Sequence, residues 1–465
     1  MRIERDSMGE MQVPAWALWG ASTQRAVENF PVSGRPVPVE IIRAFGLLKA
    51  ACARVNLELG KLDAKRAEVI IAAANEVAQG QHDRHFPVDI YQTGSGTSTN
   101  MNANEVIATL ATQRLGEKVH PNDHVNMGQS SNDTFPTAMH IAAGVALKDR
   151  LLPALTRLAE ILDEHARNWD DIVKIGRTHL MDATPIRMGQ VFSGYAHQAN
   201  QALARASAAL TALRTTLAIG GTAVGTGINT HPEFGKRVAA QLAQVTGIQF
   251  EEAPNHFEAQ ATRDSFVEAH AHLKTVAVSL SKIANDIRHL GSGPRCGIFE
   301  LMLPEIQPGS SIMPGKVNPV ICESVVQVAA RVIANDAAIT CGGLGGVGSI
   351  FELNVAMPMM ADAMLESITL LANVSNVFVD KLLKGLQVNR HRCEQLIEQS
   401  LMMVTSLAPV IGYDNAARIA KQAFKENKTI RELVLEQKLL DEAKLNQLLD
   451  PRGMTEPGGE GAAGG

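Results

Sequence analysis

The chain has 465 residues, is 45% hydrophobic but only 4% aromatic, and carries a formal net charge of −5 at pH 7. That length holds more than one domain and a large core that aliphatic side chains must build. The acidic balance argues against nonspecific nucleic-acid binding, so a bound anion would have to be held by local positive potential.

In chain order, the opening MRIERDSMGEMQVP lacks the apolar run of a signal peptide and carries acidic residues unlike a transit peptide. The first ~140 residues read as short helical stretches mixed with loops. Leu147, Leu151, Leu155, Leu158 and Leu162 then recur at spacings of four and three, the seam of a helix. Residues 188–221 form a long helical stretch ended by the pair Gly220 and Gly221. In 265–290, Phe266, Leu273, Leu280 and Ile287 fill one heptad position and Ala269, Val276, Ile283 and Leu290 the other. This is the a/d seam of a helix packed nearly parallel to partners. Residues 320–343 and 360–386 are two more long helical stretches, followed by shorter, more charged ones and a closing GMTEPGGEGAAGG that reads as a solvated tail. Strand patterning is scarce. Five long helices with small or aliphatic faces predict a mainly α bundle, too apolar on its surface for a solvated monomer.

The five cysteines are odd in number and form no CxxC pair, which fits reduced thiols in a cytoplasmic protein. No uninterrupted apolar run is long enough to span a membrane.

Four polar islands stand against this aliphatic background: YQTGSGTSTNMNANEV (91–106), HPNDHVNMGQSSNDTFP (120–136), GRTHLMDATP (176–185) and GSSIMPGKVNP (309–319). Each lies beside a helical stretch, and helix capping is the default account of any one of them. Together they supply many neutral donors, one lysine, and histidines with neighbouring carboxylates. Helix N-termini carry free N–H groups and partial positive charge, so several of them converging would hold a small polyanion without a basic surface. Spacing alone does not establish that convergence.

GSSIMPGKVNP resembles the signature of the fumarase/aspartase superfamily. TGSGTSTNMNANEV, HPNDHVN, QSSND, GRTHLMDATP, GGTAVGTGINTHPEF (220–235) and FELNVAMP (351–358) resemble class II fumarases over nearly the whole chain. The resemblance implies a three-domain, mainly α fold with a central twenty-helix core in a homotetramer, and active sites each built by three subunits. We divide the chain accordingly into 1–137 with active-site loops, a long-helix bundle 138–386, and a small helical domain 387–465. The implied reaction is reversible hydration of fumarate to L-malate, with neither metal nor organic cofactor and no membrane or nucleic-acid partner.

That chemistry explains the residue types. Removing a proton beside a carboxylate creates an aci-carboxylate, and preorganised donors are the main lever for stabilising it. By resemblance, Lys316 and Asn318 bind that group. Ser95, Gly96, Thr97, Ser130, Ser131, Asn132, Thr178, Ser311 and Val317 hold the rest of the dicarboxylate. Ser310 matches the family's catalytic serine, which needs local donors to stabilise its alkoxide. His179 matches the residue that activates water, and Glu323 the carboxylate that orients it. The resemblance leaves open which of Ser310 and His179 moves which proton; we assign Ser310 to carbon and His179 to oxygen. His120, Pro121, Asn122 and Asp123 resemble a second dicarboxylate site, for which the plain alternative is a helix-start turn.

The rivals are an aspartase-type ammonia lyase, a non-catalytic structural relative, and a dicarboxylate carrier. Aspartases typically carry Gln in place of His179 and Ala in place of Gly315, whereas Val320 after NP leans their way. Met181 and the pair Ser349 and Ile350 also depart from the fumarase pattern, beside rather than on the implied catalytic positions.

Overall fold

The computed structural model describes residues 1–457. An antiparallel hairpin, β1 (Arg2–Asp6) and β2 (Gly9–Val13), precedes α1 (Ala21–Asn29), α2 (Val39–Glu58), α3 (Ala64–Ala78), α4 (Thr97–Leu115), α5 (Ser131–Ala146) and α6 (Leu152–Asn168). A second antiparallel hairpin, β3 (Val173–Thr178) and β4 (Met181–Arg187), leads into α7 (Met188–Arg214), α8 (Phe234–Thr246), α9 (His256–Ala261) and α10 (Asp264–Leu290). Then come β5 (Leu301–Met302), α11 (Val320–Gly343), the tight pair β6 (Ser349–Ile350) and β7 (Leu353–Asn354), α12 (Met357–Lys381) and β8 (Gln387–Val388), which pairs with β5. The chain closes with α13 (Arg390–Gln399), α14 (Ala408–Ile411), α15 (Tyr413–Glu426), α16 (Ile430–Glu436) and α17 (Glu442–Leu448).

The mainly α expectation holds, and so do the seams: all eight a/d residues of α10 are buried, as are the five leucines from Leu147 to Leu162. The N-terminal helices are longer than their sequence suggests. Asn100, Asn102 and Asn104 are buried inside α4, so its polar inner face hides the apolar periodicity. Helix α7 stops at Arg214, short of the glycine pair. Thr215 and Thr216 donate back to the carbonyls of Thr211 and Ala212, and Leu217 then pairs with Glu251 and Ala253 instead of continuing the helix. Helix α12 runs Met357–Lys381, and a 3-10 turn at Leu383–Gly385 takes the end of the stretch.

The chain folds as two compact units. The first comprises 1–154, 202–278 and 327–373; there α2 packs against α3, α5 and α8, and α4 against α3 and α5. The second comprises 155–201, 279–326 and the chain from Val374 onward. In it Ile175 of β3 joins Ile397, Leu407, Ile419, Leu433 and Leu445 in one apolar cluster, so the C-terminal helices seat the β3–β4 hairpin. The start of the expected tail is anchored: Arg187 donates to Thr455 Oγ1 (2.8 Å) and Gln190 to the Thr455 carbonyl (2.9 Å). Residues 458–465 lie outside the described residues. Among the described residues no helix is long and apolar enough to cross a membrane.

Candidate active site

In the first unit two islands meet as helix N-termini. Gly96 precedes α4 with φ +72°, and a Cβ there would lie 2.0 Å from the Phe135 ring. A Cβ on Gly94 would lie 1.7 Å from the Val355 carbonyl oxygen. Both positions therefore demand glycine. Hydroxyls then link the two helices: Ser95 Oγ to Thr97 Oγ1 (2.8 Å) and Thr97 Oγ1 to Ser131 Oγ (2.8 Å). Ser130 caps α5, its Oγ accepting from the Asn132 N–H, while Asn132 donates to the Ala223 carbonyl of the glycine-rich 220–235 segment. Two helix dipoles and a chain of rotatable hydroxyls thus face one place, an arrangement suited to a small anion.

Below this surface lie charged residues that sequence reasoning missed. Asp133 is completely buried; its carboxylate accepts from the N–H groups of Ser130 (2.9 Å), Thr222 (2.9 Å) and Gly220 (3.2 Å). Burial pushes its pKa up to about 6, against the lowering effect of those donors. Lys49 of α2 is also completely buried and donates to Asn126 Oδ1 and Gln129 Oε1, both at 2.9 Å. Burial pushes its pKa down to about 8. The available signals were a lone lysine in the apolar run GLLKAACA and the S-x-x-D of a capping box.

In the second unit the 309–319 loop folds on itself. The Gly309 N–H donates to the Lys316 carbonyl (2.8 Å), Asn318 Nδ2 donates to the Gly309 carbonyl (2.7 Å), and Gly315 takes φ +76°. Ser310 Oγ accepts from the N–H groups of Ile312 (3.2 Å) and Met313 (3.1 Å). Those bonds make a turn cap, and they also aim two donors at the oxygen that would need them as an alkoxide. Ser311 and Lys316 are exposed, and Val317 and Asn318 half-buried.

His179 is at the tip of the β3–β4 hairpin, not beside a helix. It and Leu180 both have positive φ, +56° and +63°. A two-residue turn of this kind normally takes Asn or Gly, so a His–Leu pair stores strain of the sort found at functional sites. Thr178 closes the ladder opposite Met181. The hairpin base is fixed by Glu300, fully buried, which pairs with Lys174 (3.1 Å) and accepts from Arg177 on both oxygens (3.0 Å each). Glu323 is exposed in the first turn of α11. Among the described residues, His179 and Glu323 form no hydrogen bond or ion pair with each other within the chain.

His120 caps the turn Pro121–Val125, its Nδ1 accepting from the N–H groups of Asn122 (3.3 Å) and Asp123 (3.1 Å). The plain alternative of a helix-start turn is therefore realised there. Of the departures, Ser349 donates to the Gly343 carbonyl and accepts from the buried Asn354, which closes the 342–354 segment. Among the described residues no group of three or more His, Cys, Asp or Glu side chains is placed to hold a metal ion.

Comparison with known proteins gives a consistent set of relatives. The family model described as "Lyase" matches residues 9–334, and the one described as "Fumarase C C-terminus" matches 403–456. The chain is 57% identical to the class II fumarate hydratase of Corynebacterium efficiens, over 96% of this chain and 93% of that one. It is 57% identical to that of Mycobacterium tuberculosis, over 97% and 94%. Among solved structures, a class II fumarase from Schistosoma mansoni superposes with TM-score 0.94 at 38% identity, over 98% of this chain and all of that one. A fumarate lyase:delta crystallin from Brucella melitensis bound to cobalt superposes with TM-score 0.93 at 40% identity, over 98% and 100%.

Proposed function

This chain belongs to the class II fumarate hydratase family, and from that premise we infer that it is a hydro-lyase interconverting fumarate and L-malate by anti addition of water. The observation that carries the reading is the pairing of an anion-ready surface with a strained histidine turn and a donor-capped serine in one chain. A carrier would need only the first.

In the dehydration direction Ser310, stabilised by its two N–H donors, takes the proton from carbon. The resulting aci-carboxylate is met by Lys316 and Asn318, whose charge and amide are most valuable where negative charge develops. The hydroxyl leaves with a proton from His179, which Glu323 orients. Ser95, Gly96, Thr97, Ser130, Ser131, Asn132, Thr178, Ser311 and Val317 hold the remaining carboxylate and hydroxyl. The reaction needs neither metal nor organic cofactor. The segment His120–Asp123 serves as an accessory dicarboxylate site.

The working form is a cytoplasmic homotetramer whose active sites each combine residues from three subunits. Two features support this. Among the described residues, His179 and Glu323 have no mutual hydrogen bond or ion pair inside one chain. Large apolar side chains also stand bare at loop tips, among them Leu180 (82% exposed), Ile312 (83%) and Phe351 (87%). Large apolar side chains left this bare suit surfaces that a partner covers.

Proton NMR of the protein with fumarate in D₂O, with and without ammonium, tests the reaction. Monodeuterated malate in both tubes is expected. Aspartate forming only with ammonium would move the chain to the ammonia lyases, and no change in either tube would overturn the reading.

A further inference from the structure

Lys49 has no place in the chemistry above, yet its ammonium is completely buried in the first unit. Its two hydrogen-bond partners, Asn126 Oδ1 and Gln129 Oε1, are neutral amides, and among the described residues no carboxylate lies within ion-pairing distance of it. A charge buried against amides alone is costly to the fold, so its position asks for a reason. Both residues adjoin the proposed substrate surface. Gln129 directly precedes Ser130, the cap of α5. Asn126 Oδ1 also accepts from Asn100 (3.3 Å), whose own N–H reaches Gly96 at the start of α4. Asn126 Nδ2 in turn donates to the Gln129 carbonyl (3.1 Å). One ammonium thus sits behind the two helix N-termini that present Thr97 and Ser131.

We propose that Lys49 is a positioning residue whose positive charge, held in place by the Asn126 and Gln129 amides, strengthens dicarboxylate binding at the paired N-termini of α4 and α5. The inference rests on the function proposed for that surface. The amides fix the ammonium in place: Asn126 Nδ2 is tied to the Gln129 carbonyl, and Gln129 Nε2 donates to the carbonyls of Val125 (3.2 Å) and Met127 (3.1 Å), so the charge acts on the surface through space. The charge also adds to the two helix dipoles in a region from which water is excluded, where screening is weak. This supplies the local positive potential that the acidic chain as a whole lacks. The other titratable groups near Lys49 are Cys52 on its own helix and Asp133 of α5. Burial pushes the Cys52 thiol up, so it stays neutral, and Asp133 is bonded toward the glycine segment rather than toward the ammonium.

The test uses succinate as an unreactive dicarboxylate probe, with its dissociation constant measured by calorimetry from pH 6.5 to 9.5. The wild-type protein should lose affinity on passing about pH 8. Lys49→Met should bind succinate roughly tenfold more weakly at pH 7, the scale of one charge acting across a few side chains. It should lack the alkaline loss and keep its oligomeric state in sedimentation. A wild-type profile that is flat from pH 7 to 9 overturns the proposal without any variant, and so does a folded Lys49→Met that binds within twofold of wild type. Gln129→Leu serves if Lys49→Met does not fold: it removes one of the two amides that hold the ammonium in place and should weaken succinate binding several-fold, and unchanged binding overturns the proposal. Turnover of fumarate by the wild-type protein is scored separately. An inactive wild type that nonetheless binds succinate with the alkaline loss would sink the hydratase reading and leave the Lys49 inference standing.

Discussion

At the scale of single residues, the proposed roles differ in what each substitution should cost. Lys316→Ala removes charge where it develops, so kcat should fall by about 10²–10³ with a normal melting temperature; near-wild-type turnover would remove Lys316 from the carboxylate site. His179→Asn should cost about 10²–10⁴ in turnover and leave assembly unchanged, because Asn is polar like His and tolerates the positive φ of that turn. A variant that fails to assemble would make His179 structural. His120→Asn should barely alter the rate, since its ring is occupied with capping its own turn. Lys49 carries a pH signature of its own. Its folded pKa of about 8 lies below the ordinary lysine value near 10.4. Between those values the unfolded chain holds the proton and the folded chain does not, so stability rises with pH across that window. The cost of burying the charge is full below about pH 8 and is relieved above it. Chemical denaturation at pH 7.5 and 9.5 should register that rise in the wild type and miss it in Lys49→Met. Equal slopes would mean that the buried amine keeps its proton throughout this range, as the unfolded chain does. Stability and dicarboxylate affinity should then move in opposite directions with pH.

At the scale of elements, much depends on a few backbone positions. Gly94 lies where the chain passes the Val355 carbonyl, and nearby Met357 donates a hydrogen bond to the Gly94 carbonyl (2.9 Å). Gly94→Ala has nowhere to put its methyl group and should cost at least about 3 kcal/mol in a denaturant titration. A loss under ~1 kcal/mol would show that the segment yields easily. The long helices were legible because α10 carries an unbroken apolar a/d seam and α11 a long run of small and aliphatic residues whose buried face is interrupted at Asn335 and Asp336. The β3–β4 hairpin was not, since its ladder shifts register between Ile175 and Arg177 and its turn uses His179 and Leu180 where a hairpin signal would be Asn–Gly. The end of α7 was misread for a related reason: the glycine pair looked like a C-cap, but a distant partner segment at 251–253 draws the chain away earlier. The inner polar face of α4 defeated periodicity altogether, because buried polar side chains occupy it, Thr99 donating to Gln92 Oε1 and Asn102 to the His85 carbonyl outside the helix.

At the scale of the whole molecule, the proposed tetramer makes activity depend on association. Specific activity should fall on dilution in step with the oligomer seen by sedimentation. Phe351→Ser removes one of the barest aromatic side chains and should weaken association; a monomer with full activity would exclude sites shared between subunits. On the proposed site, the acidic chain would bind its anion without a basic surface, the positive potential coming from oriented helix ends and local cations rather than from net charge.

By itself the sequence determined the helical class, the long seams, the polar islands and the family they resemble. Those follow from local periodicity and from short motifs whose residues are contiguous. Only the tertiary structure decided which islands meet. It joined Thr97 to Ser131 through their hydroxyls, placed His179 on a strained turn seated by Glu300, and put Lys49 and Asp133 beneath the α5 N-terminus. These are contacts between residues tens or hundreds of positions apart, and burial, which makes a charge costly or useful, exists only after the chain has folded around it.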